Sequence, residues 1–311
     1  MNHNNKVDGL VEAIEKVIIG KKEVVKLLVV ALLSRGHVLL EDVPGVGKTT
    51  LARALAKTIA CQFSRVQFTP DLLPSDILGV SIYSADRDEF VFKPGPIFAN
   101  VVLADEINRT TPRTQSALLE AMNDFHVSVD SVTHALPLPF MVIATQNPIE
   151  YHGTYPLPES QMDRFLLRTR IGYPAREDEK RVIASHRLAR PLDELKPALD
   201  ASEILGMQEQ VKKVTVDESI TEYILSIAEA TRQSPRLEVG ISPRGCLMLS
   251  RAAQARAVVE GRDFCTPDDV KSLAAPVLSH RLIESVSMGV PNSLEAEGVM
   301  RDILETVEVP L

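Results

Sequence analysis

The sequence predicts an α/β domain with a five-stranded parallel sheet in residues 1–174, followed by an all-helical domain in residues 175–311. Up to Tyr173-Pro174, short and almost continuously apolar runs alternate with amphipathic segments, as expected for strands covered on both faces. Beyond that point helical periodicity continues with helix-start signals and little strand pattern. The 311 residues also exceed the usual size of one core, about 250–300 residues, so two domains are expected.

The elements of the first domain follow from these runs. The candidate strands of the sheet are residues 37–40, 64–68, 97–104, 140–145 and 166–171. The candidate helices between them are residues 24–34, 49–59 and 112–125. Residues 79–96 and 125–140 each hold two short runs around a polar turn, and both predict hairpins inserted into the α/β core.

The second domain carries clear helix starts. Ser242-Pro243 and Thr266-Pro267 each place a hydroxyl residue at a cap and a proline in the first turn. The last 20 residues predict one helix, opened by Asn292 and Glu295, that packs Val299, Ile303 and Val307 inward.

Composition excludes several classes of protein. The net charge of −8 disfavours a large nucleic-acid footprint, although a local basic patch stays possible. No apolar run approaches the roughly 20 residues of a membrane helix, and the polar start of the chain leads into no export signal. Three separated cysteines, Cys61, Cys246 and Cys265, are interpreted as buried thiols. We therefore expect a cytoplasmic protein without membrane insertion.

The strongest local motif is the loop Pro44-Gly45-Val46-Gly47-Lys48-Thr49-Thr50, between the first strand and the following helix. Its two glycines allow successive N–H groups to turn inward around phosphate oxygens, and the helix start adds its positive end. In this pattern Lys48 reaches the β- and γ-phosphates of a nucleotide, and the Thr49 hydroxyl is a ligand for Mg²⁺. The full pattern has glycine where this chain has Asp42, which leaves the first turn of the loop in question.

Two other strands end in polar residues that fit the same chemistry. An apolar run delivers Asp105 and Glu106 to the carboxyl end of a strand, where α/β sheets bind ligands. We expect Asp105 to hold Mg²⁺ through a water, and Glu106 to orient and polarise the attacking water. Asn147, after the run 140–145, can hydrogen-bond that water or the γ-phosphate, although asparagine before Pro148 is also a common turn former.

Two arginines are candidates for phosphate contacts. Arg164 lies in Asp163-Arg164-Phe165, just before the fifth strand. Arg244 lies in the first turn of a helix, where a cation opposes the helix dipole at a cost of about 0.3–1 kcal/mol. A nearby anion would offset that cost, whereas the alternative for either arginine is a surface ion pair.

These motifs occur together in one order. The series is Ile19-Gly20-Lys21, Glu41-Asp42-Val43-Pro44-Gly45-Val46-Gly47-Lys48-Thr49, Ala104-Asp105-Glu106-Ile107-Asn108-Arg109, Ala144-Thr145-Gln146-Asn147-Pro148, Pro158-Glu159-Ser160-Gln161-Met162-Asp163-Arg164-Phe165 and Ser242-Pro243-Arg244-Gly245. In this order and spacing the chain resembles the MoxR family of AAA+ ATPases, and it is similar to the ATPase subunit of magnesium chelatase. The resemblance covers nearly the whole chain.

The resemblance implies a P-loop AAA+ core and a helical lid joined near residue 174. The strand that follows the phosphate loop in sequence would not neighbour it in the sheet, whereas the strand ending at Asn147 would. The two hairpins match insertions that face the ring surface or pore. Ile18, Ile19 and Gly20 match the segment that lines the adenine pocket.

The resemblance also assigns roles. Asn147 matches sensor 1, and Arg244 matches sensor 2, through which the lid contacts the nucleotide. Arg164 matches the arginine finger, which reaches the nucleotide of an adjacent subunit. Arg109 and Arg113 lie beside the acidic pair, and either can supply an additional contact in trans.

The implied activity is Mg²⁺-dependent hydrolysis of ATP to ADP and phosphate by a homo-oligomeric ring, expected to be a hexamer. It would drive chaperone-like remodelling, or metal or cofactor insertion, in a partner protein with a von Willebrand factor A domain. The alternatives are a nucleic-acid-dependent AAA+ motor and a nucleotide-bound scaffold that hardly hydrolyses. The acidic chain disfavours the motor, and the joint presence of Glu106, Asn147 and Arg164 disfavours the scaffold. A small-molecule kinase would leave the helical second half unexplained.

Overall fold

The computed structural model describes residues 3–148, 154–188, 191–285 and 293–310. In chain order the elements are α1 (His3–Glu15), α2 (Lys22–Leu33), β1 (Val38–Glu41), α3 (Lys48–Thr58), β2 (Phe63–Gln67), α4 (Pro74–Leu78), β3 (Gly79–Ser84), β4 (Glu89–Pro94), β5 (Val101–Asp105), α5 (Pro112–Asp124), β6 (His126–Val129), β7 (Val132–Ala135), β8 (Met141–Gln146), α6 (Glu159–Met162), β9 (Leu167–Thr169), α7 (Arg176–Leu188), α8 (Pro191–Glu194), α9 (Ala201–Val211), α10 (Glu218–Gln233), β10 (Leu237–Val239), α11 (Pro243–Val259), α12 (Pro267–Leu278), β11 (Ile283–Glu284) and α13 (Ser293–Thr306). Short 3-10 turns follow β5 at Ile107–Arg109 and α12 at Ser279–Arg281.

Five parallel strands form the central sheet, in the order β2-β5-β8-β1-β9. Strand β1 therefore lies between β8 and β9, and β2 is an outer strand that does not neighbour β1. This confirms the expectation that β1 pairs with the strand ending before Asn147 and not with the strand that follows it in sequence. Every residue of β1 and β5 is buried, as it must be in a sheet covered by helices on both faces. The carboxyl ends of β1, β5 and β8 consequently lie along one side of the sheet. We call this side, where the parallel strands end, the carboxyl edge, and the opposite side, where they begin, the amino edge.

The third predicted strand begins later than expected. Its residues 97–100 form turns, and β5 starts at Val101. Ile97 is nevertheless fully buried, because its N–H donates to the Ile77 carbonyl and its side chain packs in the core beneath α4. A buried loop therefore shows the same apolar sequence pattern as a buried strand.

Both inserted hairpins form. Strands β3 and β4 pair antiparallel from Gly79 opposite Pro94 to Ser84 opposite Glu89, and β6 pairs with β7. The Phe92 ring stacks on the His134 ring at 3.9 Å between centroids, which joins the two hairpins. The insertions thus form one projecting unit beside the sheet.

The second half of the chain is helical, with one addition. Strands β10 and β11 form a small antiparallel ladder that the sequence analysis did not predict, because pieces of three and two residues are too short to show alternation. The closing helix α13 buries Val299 and Ile303 as expected, whereas Val307 follows the end of the helix and is half-buried. The predicted opening residue Asn292 lies outside the described residues.

The helical half packs directly on the α/β half. One apolar cluster joins side chains of α2, α3 and the sheet to side chains of α9, α11 and α12. The division at residue 174 stays a prediction.

Two expectations, one about membrane-spanning helices and one about buried thiols, can be compared with the described residues. Among those residues no helix has the length and apolar content needed to cross a membrane. Cys265 is buried, whereas Cys61 and Cys246 are only half-buried, so the expectation of three buried thiols was wrong for two of them. Burial raises the pKa of Cys61 and of Cys265 to about 11, which keeps both thiols protonated near neutral pH.

Candidate functional site

The phosphate loop joins β1 to α3 at the carboxyl edge of the sheet. Gly45 and Gly47 have φ values of 90° and 97°, in the left-handed region that glycine adopts without strain. A Cβ at position 45 would have no heavy atom within 4 Å, so the cradle is open. Residues 44–50 are exposed or half-buried throughout, and Gly47 caps the 11-residue helix α3. The loop can therefore accept phosphate oxygens on its N–H groups.

Lys48 turns back onto this loop. Its Nζ donates to the carbonyl oxygens of Asp42 and Val43 at 2.6 and 3.1 Å. Thr49 and Thr50 follow in the first turn of α3. The ammonium group thus lies beside the cradle, where it can exchange carbonyl contacts for phosphate oxygens.

Asp42, the departure from the glycine of the pattern, has a structural role. Its buried carboxylate accepts hydrogen bonds from the backbone N–H groups of Ile171 and Gly172, the latter at 3.0 Å. Its own N–H donates to the Gln146 carbonyl at 3.1 Å. Asp42 therefore hydrogen-bonds the start of the phosphate loop to the backbone at the ends of β8 and β9. The first turn of the loop is stabilised by this carboxylate, where the usual pattern has a glycine.

This role gives a first prediction. Asp42→Gly restores the usual pattern but leaves two backbone N–H groups without their acceptor, so the free energy of unfolding should fall by on the order of 3 kcal/mol. Urea denaturation of the wild type and the variant measures the change. Asp42→Asn keeps one acceptor oxygen and should lose less than half as much. Equal stability of wild type and Asp42→Gly would contradict the role.

The acid pair lies at the same edge, at the end of β5. Asp105 is buried, and its Oδ1 accepts from Thr145 Oγ1 at 2.6 Å while its Oδ2 accepts from Arg65 Nη2 at 2.6 Å. Thr145 Oγ1 also accepts from the Glu106 N–H at 2.8 Å. One fully buried hydroxyl on β8 therefore fixes both acids relative to each other.

Glu106 has an unusual backbone. Its φ of 59° and ψ of 51° place a non-glycine residue in the left-handed region, a conformation that costs about 1–3 kcal/mol and is common at functional sites. Its Oε2 accepts from Gln67 Nε2 at 2.7 Å and lies 3.3 Å from Arg109 Nη1. The carboxylate is therefore held from two sides at the carboxyl edge.

Three residues that contact the acid pair, Arg65, Gln67 and Thr145, are not predicted from the sequence. Arg65 and Gln67 are alternate residues of β2, so their side chains share one face, beside β5 in the register Gln67 opposite Asp105. The signal available was a charged and an amide residue inside the predicted strand 64–68. That signal identified no partner, because the neighbour of β2 is known only once the sheet is formed.

Two further predicted residues lie beside the loop. Asn147 is buried directly after β8, and Gln146 next to it accepts the Asp42 N–H. Ile18 is buried, and its Cδ1 would lie 4.0 Å from a Cβ at Gly47. Ile19 is half-buried, and Gly20 has a φ of 75° and touches Asp178 of α7 so closely that a Cβ would meet its carboxylate. The predicted adenine-pocket segment therefore lies beside both the loop and the first helix after residue 174.

Arg164 lies at the opposite edge of the sheet. The N–H of Leu166 donates to the carbonyl of His37, directly before β1, at 2.9 Å, so this segment sits at the amino ends of the strands. Arg164 Nη1 donates to the Leu119 carbonyl of α5 at 2.8 Å, and the side chain lines a surface cavity of about 370 Å³ with Glu120 and Gln161. Four residues of β1, about 13 Å, separate this edge from the start of the phosphate loop.

Arg244 lies with Arg164 and not with the phosphate loop. Its Nε is 3.2 Å from Asp163 Oδ2, and its Nη2 donates to Asn123 Oδ1 at 3.5 Å. Asn123 is near the carboxyl end of α5, beside Met122, whose carbonyl contacts His37 Nε2 at 2.8 Å. The start of α11 therefore docks at the amino edge of the sheet, and the sensor 2 role of Arg244 stays a prediction.

The two other arginines differ in placement. Arg109 pairs with Glu106 of its own chain, and Arg113 is exposed in the first turn of α5. Arg109 thus lies beside the acid pair of its own chain, and a contact in trans stays a prediction for both arginines.

Comparisons with known proteins agree with this geometry. Residues 37–167 match the family described as "ATPase family associated with various cellular activities (AAA)", and residues 229–303 match the AAA lid domain. The chain is 51% identical to the uncharacterized protein YeaC of Bacillus subtilis, over 97% of this chain and 94% of that protein. It is 41% identical to Chaperone MoxR1 of Mycobacterium tuberculosis, over 96% of this chain and 80% of that protein.

A solved structure has a similar fold. The fold superimposes on a crystal structure of a proposed ATPase from Cytophaga hutchinsonii with a TM-score of 0.89 and 36% identity, covering 99% of this chain and 96% of the other. The phosphate cradle and the acid pair lie within the residues that match the AAA family, and α11 and α12 lie within those that match the AAA lid domain. The chain belongs to the MoxR family of AAA+ ATPases.

Proposed function

We propose that the protein hydrolyses ATP at the interfaces of a homo-oligomeric ring, expected to be a hexamer, and that the resulting motion remodels a partner protein. One observation carries the proposal. The phosphate loop and acid pair lie at the carboxyl edge of the sheet, whereas Arg164 and Arg244 lie at its amino edge. This separation, about 13 Å along β1, supports a nucleotide that is bound by one chain and contacted by the arginines of a neighbouring copy.

Each residue at the carboxyl edge has a distinct task in this reaction. The N–H groups of residues 45–49 and the Lys48 ammonium bind and orient the phosphates. Glu106 accepts a hydrogen bond from the attacking water and polarises it, while Gln67 and Arg109 keep its carboxylate aimed. The γ-phosphorus gains a bond to the water oxygen and loses its bond to the ADP oxygen, and the protons of the water pass to phosphate and solvent.

The residues present fit Mg²⁺, because a hydroxyl and a buried carboxylate are hard oxygen ligands. Thr49 and Asp105 would hold the ion. When bound, Mg²⁺ would neutralise charge on the phosphate oxygens. Arg65 balances the charge of Asp105 from the side of β2.

Removal of the Lys48 ammonium tests the loop. Lys48→Ala should weaken ATP binding about 10- to 100-fold, since a charge-assisted hydrogen bond contributes about 1.5–3 kcal/mol. Isothermal titration calorimetry measures the affinity, and Lys271→Ala, at an exposed lysine of α12, is the matched control. Unchanged affinity of Lys48→Ala would rule out the proposed phosphate site.

Assembly is tested by activity against concentration. Phosphate release per subunit should rise as analytical ultracentrifugation shows oligomers replacing monomers, since each site needs a neighbour. A monomer as active per subunit as the oligomer would contradict the proposal. Addition of single- and double-stranded DNA in the same assay tests the nucleic-acid motor, which requires stimulated turnover.

The partner is proposed from the chaperone named among the relatives and from the family resemblance. A protein with a von Willebrand factor A domain is the expected partner. Purified candidate partner should co-sediment with the Glu106→Gln ring in ATP and dissociate in ADP. Equal binding in both nucleotides would separate the partner from the hydrolysis cycle.

A further inference from the structure

A second lid arginine lies against the segment that carries Arg164. Arg281 closes the 3-10 turn after α12, and only 4% of its side chain is exposed. A buried guanidinium is costly unless acceptors surround it, so its partners show what the residue is used for. Burial lowers its pKa to about 10, so it remains charged near neutral pH.

The partners of Arg281 flank Arg164 on both sides. Nε donates to Asp163 Oδ1 at 2.8 Å, and Nη2 donates to the Phe165 carbonyl at 2.6 Å. Nη1 donates to the Leu166 carbonyl at 3.3 Å and also contacts the Val277 carbonyl of its own lid helix. The planar guanidinium thus holds residues before and after Arg164, more than 110 positions away in sequence, and leaves the Arg164 side chain outside this clamp.

Asp163 is shared by both lid arginines. Its Oδ1 accepts from buried Arg281, and its Oδ2 lies 3.2 Å from Arg244 Nε. Arg164 itself has its hydrogen bond on another element, to the Leu119 carbonyl of α5. The backbone that carries Arg164 is therefore set by the lid, and the side chain rests against the core.

We infer that Arg281 is a positioning residue that fixes the backbone of residues 163–166 to the lid, so that Arg164 is aimed at the nucleotide of the adjacent subunit. This inference rests on the proposed hydrolysis at subunit interfaces. Movement of the lid shifts Arg281, and with it the arginine offered to the neighbour. The lid of one subunit thereby controls hydrolysis in the next.

The test uses rings mixed from two inactive variants. Arg281→Met replaces the guanidinium by an unbranched apolar chain, and it leaves the phosphate loop and acid pair of its own subunit unchanged. Glu106→Gln removes the acid of its own subunit but keeps a correctly aimed Arg164. Each ring alone should hydrolyse ATP at least about 100-fold more slowly than wild type.

An equimolar mixture of the two should recover about a quarter of the wild-type rate. Half of the subunits retain Glu106, and half of their neighbours offer an aimed Arg164, in a ring where every interface is equivalent. A merely structural defect in Arg281→Met would stay in that subunit and would not be rescued by its neighbour. Recovery supports the inference, and absence of recovery overturns it when the following control succeeds.

The control mixture pairs Arg164→Ala with Glu106→Gln. Recovery there, with none for Arg281→Met, overturns the positioning role while leaving the proposed function standing. Failure of both mixtures overturns hydrolysis in trans itself. The two failures are therefore distinguishable.

Two further variants protect the test against misfolding. Arg262→Met removes another lid guanidinium, which donates to buried Asp269 at 2.6 Å and to the Phe264 carbonyl at 2.9 Å within the lid, and it should keep turnover if it folds. Asp163→Asn keeps the volume of the acceptor but loses its charge, and it replaces Arg281→Met in the mixture if that variant does not bind ATP. Asp163→Asn with full turnover would contradict the inference.

Discussion

Arg164→Ala is expected to lower ATP turnover of the assembled protein by about 10³- to 10⁵-fold, the range in which an arginine supplied in trans contributes to phosphoryl transfer. ATP affinity should change little, because the phosphate loop lies at the other edge of the sheet. Phosphate release under saturating ATP measures the loss, and calorimetry measures the affinity.

The matched control is Arg301→Ala, which removes an exposed arginine of α13. It should leave turnover within a factor of about two, as expected for a surface arginine. A turnover near wild type in Arg164→Ala would exclude Arg164 as the arginine offered to the neighbour. Arg113, exposed at the start of α5, would then be the next candidate.

Glu106→Gln is expected to bind ATP and to hydrolyse it about 10²- to 10⁴-fold more slowly, the usual contribution of a positioned acid or base. The amide keeps the size of the side chain and one acceptor oxygen for Gln67, so the local structure should persist. What is lost is the negative charge that polarises the water. Single-turnover hydrolysis separates this loss from any change in product release.

Glu222→Gln is the matched control, because Glu222 is an exposed carboxylate on α10. Its turnover should equal that of wild type. If Glu106→Gln also released phosphate at the wild-type rate, another group would have to activate the water. The left-handed backbone of Glu106 would then have no catalytic explanation.

Together these variants describe a divided site. On the proposed function, loss of Glu106 is expected to stop hydrolysis in its own subunit, and loss of Arg164 to stop it in the neighbour. Binding energy at the carboxyl edge and charge stabilisation from the amino edge would then come from different subunits. Hydrolysis at such a junction changes how the two bodies meet, which is what a remodelling activity requires.

Local motifs predicted the chemistry of the carboxyl edge. The glycines of the loop, Lys48 and Glu106 lie in short motifs at the ends of buried strands, so spacing and apolar runs are sufficient to predict their place at that edge. The two hairpins followed from alternation around polar turns for the same reason. The apolar pattern wrongly predicted residues 97–100 as strand, because a loop buried beneath α4 has the same apolar composition as a buried strand.

Motif spacing along the chain predicts which residues bind phosphate and which acid activates water, because those residues lie close together in the sequence. Three contacts are visible only in the folded chain: Asp42 binds the backbone after β9, Thr145 joins the two acids, and Arg244 and Arg281 both contact Asp163. These contacts join positions about 40 to 130 residues apart. Strand order and lid docking create them, and a pairing of that kind has no local signature in the sequence.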